Sequence, residues 1–164
     1  MIRTRAGAVI PAPPAAVYAL LDDPQRAAEL ASNRVEVLAS EEMPDSSRVT
    51  RIRTHLPNGA IAEAESIVVE RVPDERMVVV GTTSPFGFAP TRRLRFGRVV
   101  TRSTRTLEAH PDGTLLTVES ELRITPVLLR LYFTFVKRGQ WQRATDDWLE
   151  RVRAELAGSS DHPP

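Results

Sequence analysis

Arg138, Gln142 and Thr145 recur at intervals of three or four residues in a stretch whose other members at that spacing are apolar: Leu128, Leu131, Phe135, Leu149, Val152 and Leu156. On a helix these nine side chains form one seam, apolar at both ends and polar in the middle. If the seam faces a cavity, the planar fork of Arg138 can hold a carboxylate or an enolate while the Gln142 amide orients it. A buried arginine without a partner costs on the order of several kcal/mol, so the cavity would have to supply one. The alternative is that Gly139 kinks the helix and turns Arg138 to solvent. Glycine inside a helix costs only about 1 kcal/mol relative to alanine, so its presence leaves both readings open.

The aromatic residues frame the same stretch. Tyr132 lies on one flank of the seam with Gly139, Trp141 and Trp148 lie on the other, and Phe133 falls near the opposite face. Rings at helical spacing serve equally as plain core. Phe86 and Phe88 sit in "SPFGFAP" (84–90), bounded by prolines, with Phe96 shortly after. A loop with two phenylalanines covers something apolar, as a lid over a cavity mouth, or anchors itself into the core. In "VVTRSTRTLEA", Val99, Thr101, Ser103, Arg105 and Leu107 share one strand face, so an inward Leu107 brings Arg105 into the cavity too. A bulge at Gly97 would reverse that parity.

Other chemistries find little support. The chain has no cysteine, and His55, His110 and His162 are far apart, which argues against thiolate nucleophiles and a zinc site. No serine or threonine has a placed base. Asp146 is a conceivable base, or else a solvated helix residue paired with Arg143 or Arg153. A net charge of +1 gives no global field for nucleic acid. The six arginines between Arg92 and Arg105 are expected to pair across strands with Glu63, Glu65, Glu119 and Glu121 instead. The longest apolar run, Val127 to Val136, is too short for a bilayer and contains Arg130. With no signal-peptide pattern at the start, a cytoplasmic protein without integral membrane association is expected.

The elements that must position these residues follow in order. Residues 2–10 alternate as a strand, and Pro11, Pro13 and Pro14 stop it. "PAAVYALLDD" has helical spacing at Val17, Leu20 and Leu21, and Asp23 before Pro24 starts a second short helix. From Val35 to Ile124 the period is two, over 35–40, 48–56, 60–71, 75–83, about 92–109 and 114–124. Thr50/Ile52/Thr54, Ala60/Ala62/Ala64/Ser66/Val68 and Leu116/Val118/Ser120/Leu122 are expected inside, because charged residues alternate with them. These small side chains facing one helix leave volume for a cavity. Thr125 and Pro126 then open a helix to about Leu156, followed by a polar tail over 158–164.

This order resembles the START-like, or SRPBCC, superfamily. "VIPAPPAAVYALLDDP" is similar to the family's opening strand and first helix, "VVERVPDERMVVV" to its strand–Pro–strand hairpin, and "HPDGTLLTVESEL" to its Asp-Gly hairpin into the last strand. The resemblance implies one α+β ligand-binding domain over 1–157 with the helix-grip fold. In that fold a seven-stranded curved antiparallel sheet wraps a long C-terminal helix, with two short helices after strand one. It implies a cavity for a hydrophobic small molecule, and no universal catalytic motif. Two functions follow. One is a cofactor-free polyketide cyclase or dehydratase of secondary metabolism. There Arg138, Tyr132 and Gln142 would be catalytic, and Phe86, Phe88, Phe96, Arg105, Leu131, Phe135, Trp141 and Thr145 would hold the substrate. The other is a carrier for a lipid, quinone or aromatic metabolite. Neither calls for a metal or cofactor, and the oligomeric state, a homodimer included, stays open.

Overall fold

Asp23 serves two helices at once. The computed structural model describes residues 2–31, 33–55, 59, 61–83, 98–125 and 138–159, and in it Asp23 closes α1 (Pro14–Asp22) and caps α2 (Pro24–Glu29). Its Oδ1 accepts from the backbone N–H of Gln25 at 2.8 Å and of Arg26 at 3.2 Å, satisfying amides the short helix leaves unpaired. Each helix begins on a proline, whose missing N–H costs nothing there. α1 buries Val17, Leu20 and Leu21, the three residues its spacing selects.

Seven strands form one antiparallel sheet in the order β1-β7-β6-β5-β4-β3-β2. They are β1 (Ile2–Ile10), β2 (Arg34–Glu42), β3 (Arg48–His55), β4 (Ile61–Val72), β5 (Arg76–Thr83), β6 (Arg98–His110) and β7 (Gly113–Thr125). Consecutive strands from β2 to β7 pair as a meander, and β1 returns to close against β7. The sequence places each strand to within a few residues at its described ends; the expected start of β6 at about residue 92 lies outside the described residues.

A long helix, α3 (Arg138–Ser159), lies along β1, and its Leu149, Val152 and Leu156 are buried. They join Ile10, Val17, Leu20, Met77, Leu107 and Leu116 in the principal core between helices and sheet. Burying such side chains contributes about 1.5–3 kcal/mol each, which is what fixes α3 on the sheet. The expected helical stretch before Arg138 lies outside the described residues. Arg26 of α2 reaches Glu155 of α3 at 3.2 Å, joining the two helices at their exposed edge.

The expected inner face is the buried one: Thr50, Ala62, Val68, Leu116, Val118, Ser120 and Leu122 are all shielded. The outer face carries cross-strand ion pairs, and the described ones join the expected glutamates to arginines of other strands. Of the arginines expected as partners, Arg92, Arg93 and Arg95 lie outside the described residues, and Arg102 stands opposite Glu121 in register. Glu121 and Glu119 pair with Arg3 and Arg5 of β1 at 2.8 and 3.3 Å, and Glu63 pairs with Arg53 of β3 at 2.9 Å. β1 lies directly beside β7, so its arginines stand opposite those glutamates in register.

Two bulges alter the faces. An extra residue enters β2 between Val37 and Ala39 and β4 between Val68 and Glu70, leaving Leu38 and Val69 exposed. Beyond them the parity is reversed, so Ser40 and Glu42 share the face of Thr50 and Arg48, and Arg71 stands opposite the buried Met77.

Candidate functional site

A cavity of about 190 Å³ lies between the α1–α2 corner and the concave face of the sheet. Among the described residues, Leu21, Pro24, Ala27, Ala28 and Ala31 come from the helical side. Ile52, Val68, Met77 and Val79 supply the apolar strand wall, Thr50 and Ser66 its hydroxyls, and Arg48 and Arg105 its charges. The alanines on and just after α2 keep that wall flat, because none projects beyond Cβ.

Arg105 reaches the cavity because β6 pairs with β7 from Arg98 to His110 without a shift in register. The parity that buries Leu107 therefore carries Arg105 inward with it. Its Nη1 donates to the Met77 sulfur at 3.9 Å, a weak acceptor, and its guanidinium carbon lies 5.1 Å from the centre of the Trp148 ring. No described carboxylate forms an ion pair with it. Burial, with no described anion to offset it, pushes its pKa down to about 10, still far enough above neutrality to leave the group charged. Beside it on β6, the Ser103 hydroxyl meets that of Ser120 at 2.9 Å. Thr4, opposite Ser120 in register, has a buried hydroxyl without a partner among the described residues.

Arg48 is a different kind of cation. It donates to Asp22 at 2.8 Å and lies 3.7 Å from Glu42, while Arg71 reaches Glu42 at 2.7 Å and Asp22 at 3.5 Å. Two arginines and two carboxylates thus neutralise one another where the end of α1 meets β2, β3 and β4. Burial lowers the Arg71 pKa, but the Glu42 hydrogen bond and the Asp22 and Glu42 charges outweigh it and leave the pKa raised. Tyr18 of α1 stands beside this group, its phenol pKa raised by burial and by Asp22. The Arg48 Nε is buried without a hydrogen-bond partner among the described residues.

Of the candidate site residues that are described, Arg105 reaches the cavity wall, together with Thr50, Ile52, Ser66 and Val68 of the expected inner face. Gln142 turns elsewhere: its amide donates to the Arg5 carbonyl of β1 at 3.3 Å and to Asp146 at 3.2 Å. β1 is an edge strand, and the amide of a helix lying along it finds a backbone acceptor there. Asp146 is exposed, as a solvated helix residue would be, with Gln142 as its partner instead of Arg143 or Arg153. Thr145 is half-buried on α3 and does not line the cavity. Arg138 and Trp141 belong to α3, with side chains outside the description, and Gly139 is exposed within its first turn. Phe86, Phe88, Phe96, Leu131, Tyr132 and Phe135 fall outside the described residues. Sequence reasoning missed Arg48, although it shares the parity of Thr50 and Ile52. It had no means of finding Glu42 and Arg71, which the bulges turn inward.

Among the described residues no group of histidine or carboxylate side chains could hold a metal ion, and no helix is long and apolar enough to cross a membrane.

The family model described as "Polyketide cyclase / dehydrase and lipid transport" matches residues 1–157. No curated protein matches the sequence significantly. Solved structures share the fold at low identity. A Thermus thermophilus protein superposes with a TM-score of 0.70 at 16% identity, covering 98% of this chain and 100% of its own. A Chromobacterium violaceum protein gives 0.67 at 19%, covering 94% and 96%. The di-domain ARO/CYC StfQ of the steffimycin biosynthetic pathway gives 0.68 at 15%, covering 98% of this chain and 52% of StfQ.

Proposed function

The chain belongs to the polyketide cyclase / dehydrase and lipid transport family, and from that premise we propose that it binds a hydrophobic small molecule in the cavity beneath α1 and α2 and converts it, without a cofactor, by cyclase- or dehydratase-type chemistry. The observation that carries this reading is Arg105, a cation on the cavity wall with only a sulfur and an aromatic ring as described partners. Aldol-type ring closure and loss of water both pass through enolate-like states with negative charge on oxygen. A preorganised guanidinium in a site sheltered from water lowers the energy of such a state more than that of the neutral ketone. The apolar walls would fold the substrate so that its reacting carbons meet. Arg138 and Tyr132, on the stretch entering α3, are proposed as further donors.

The apolar wall formed by Leu21, Ile52, Val68 and Val79 also suits a second function, carriage of a lipid, quinone or aromatic metabolite without turnover. The test uses a short poly-β-ketone ester, with ring closure followed by absorbance and mass spectrometry. Catalysis predicts a rate above the spontaneous one that falls about 10²–10³-fold in Arg105→Met, the usual effect of removing an oxyanion donor. Binding of the probe at the spontaneous rate of closure discards the enzyme and leaves the carrier.

A further inference from the structure

We propose that the cavity selects a compact monoanion, a carboxylic acid carried on a single aromatic ring, and excludes multi-ring polyketides and long-chain lipids. The inference rests on the cavity being the ligand site, as proposed above, and names the class of molecule it takes.

Size is the first consideration. An apolar cavity of about 150 Å³ holds one benzene, and pockets for drug-sized ligands run from about 300 to 1,000 Å³. At about 190 Å³ this cavity exceeds one ring by little more than a carboxylate. Charge is the second. Arg48 is already neutralised by Asp22 at 2.8 Å, whereas Arg105 has no ion pair with a described residue. Among the described residues one cation is therefore left for the ligand, matching one negative charge. Shape is the third. The Trp148 ring covers the guanidinium from one side. The N–H groups of a guanidinium lie in its plane, and a carboxylate meets them edge-on with two parallel hydrogen bonds. Across the cavity, Ala27, Ala28 and Ala31 offer a wall of methyl groups, against which a flat ring lies with more contact than a flexible chain.

The experiment is calorimetric titration of the purified protein with benzoate, 3-phenylpropanoate, 2-naphthoate, anthraquinone-2-carboxylate and decanoate, each beside its primary amide. The two single-ring acids are expected to bind most tightly, and their amides at least tenfold more weakly. Arg105→Gln should remove the difference between acid and amide, and Arg105→Lys, which keeps the charge without the fork, should retain part of it. Circular dichroism and thermal unfolding establish that both variants are folded. Tightest binding of anthraquinone-2-carboxylate or decanoate, lost in Arg105→Gln, overturns the size selection while leaving Arg105 as the anchor of the proposed site. Equal binding of acids and amides, or acid binding indifferent to Arg105→Gln, overturns both the inference and the role given to Arg105. Failure of all five acids to bind overturns the inference alone, since a neutral polyketide remains open to the turnover assay.

Discussion

The guanidinium carbon of Arg105 lies 5.1 Å from the centre of the Trp148 ring, joining the middle of the sheet to the long helix by a charge and an aromatic face. Trp148 also packs against the core cluster, so the ring is held from behind while it holds the arginine in front. The pair converts a flexible side chain into an oriented donor.

A double-mutant cycle measures this pairing. With Arg105→Gln, Trp148→Leu and the double variant, urea unfolding is expected to give a coupling of about 0.5–2 kcal/mol, the range for a cation–aromatic contact partly or fully shielded from water. Additive effects would show that the ring and the guanidinium are neighbours without mutual stabilisation.

Arg105 should be a liability to the empty protein. Burial depresses its pKa to about 10, well below the ordinary arginine value, so between the two the unfolded chain binds the proton more readily than the folded one. Stability from this group therefore rises as pH climbs above about 10 toward the ordinary arginine value, and at neutral pH its charge is a penalty. Replacing it with methionine, similar in length and apolar, should stabilise the unliganded protein at pH 7 by about 1–4 kcal/mol. The same change should abolish the preference for acids over amides. Between about pH 6 and 9 binding of benzoate to the unaltered protein should be flat, falling only where the ligand's carboxylate protonates, near pH 4. A lower Tm for Arg105→Met would place an unrecognised partner on the guanidinium.

The Asp22 carboxylate carries two arginines, Arg48 at 2.8 Å and Arg71 at 3.5 Å. Only a tenth of the Arg48 side chain is exposed, so water cannot replace the lost partner. Asp22→Ala should therefore destabilise the fold by about 2–4 kcal/mol, somewhat below the cost of breaking a fully buried pair. A restoring change exists: Asp22→Ala combined with Arg48→Met should recover much of the loss, by removing the cation that was stranded. Chemical denaturation of the three proteins distinguishes this from a simple defect at the end of α1, which the second substitution would leave uncorrected.

How far the sequence discloses the site depends on where the chain keeps its period. Alternation in β3 and β7 places Thr50, Ile52, Leu116 and Leu122 inward, and unbroken pairing of β6 with β7 makes Arg105 readable from Leu107 two residues away. Glu42 and Arg71 follow bulges at Leu38 and Val69, and no residue type in those stretches announces an extra position. The period alone would turn both outward. On α3 the spacing identifies Leu149, Val152 and Leu156 as buried, but Gln142 shares their seam and still donates to Arg5 of β1. A helical stripe says which side meets the sheet. It does not say whether a polar residue at that boundary meets a cavity or the backbone of an edge strand.

Two glycines with opposite environments provide the last test. Gly113, at the start of β7, has φ +132°, and a Cβ there would collide with the Ile10 carbonyl oxygen and press within 2.9 Å of the Ala12 nitrogen. These atoms belong to the junction of β1 and α1, which Thr114 also ties by donating to the Ala12 carbonyl at 2.6 Å. All are main-chain atoms and cannot swing aside. Gly113→Ala should cost about 2–3 kcal/mol in backbone strain and displacement, a fall in Tm of roughly 4–12 °C. Because the displaced junction leads into α1, which carries Leu21 on the cavity wall, acid binding should weaken as well. Gly139 lies in α3, and among the described residues no atom beyond its own helical turn comes within 4 Å of its hypothetical Cβ. Gly139→Ala should raise stability by up to about 1 kcal/mol through helix propensity alone. Thermal unfolding of the two variants checks the opposite signs. A loss of stability in Gly139→Ala would mean that this turn needs the freedom of glycine and that Arg138 is positioned by it.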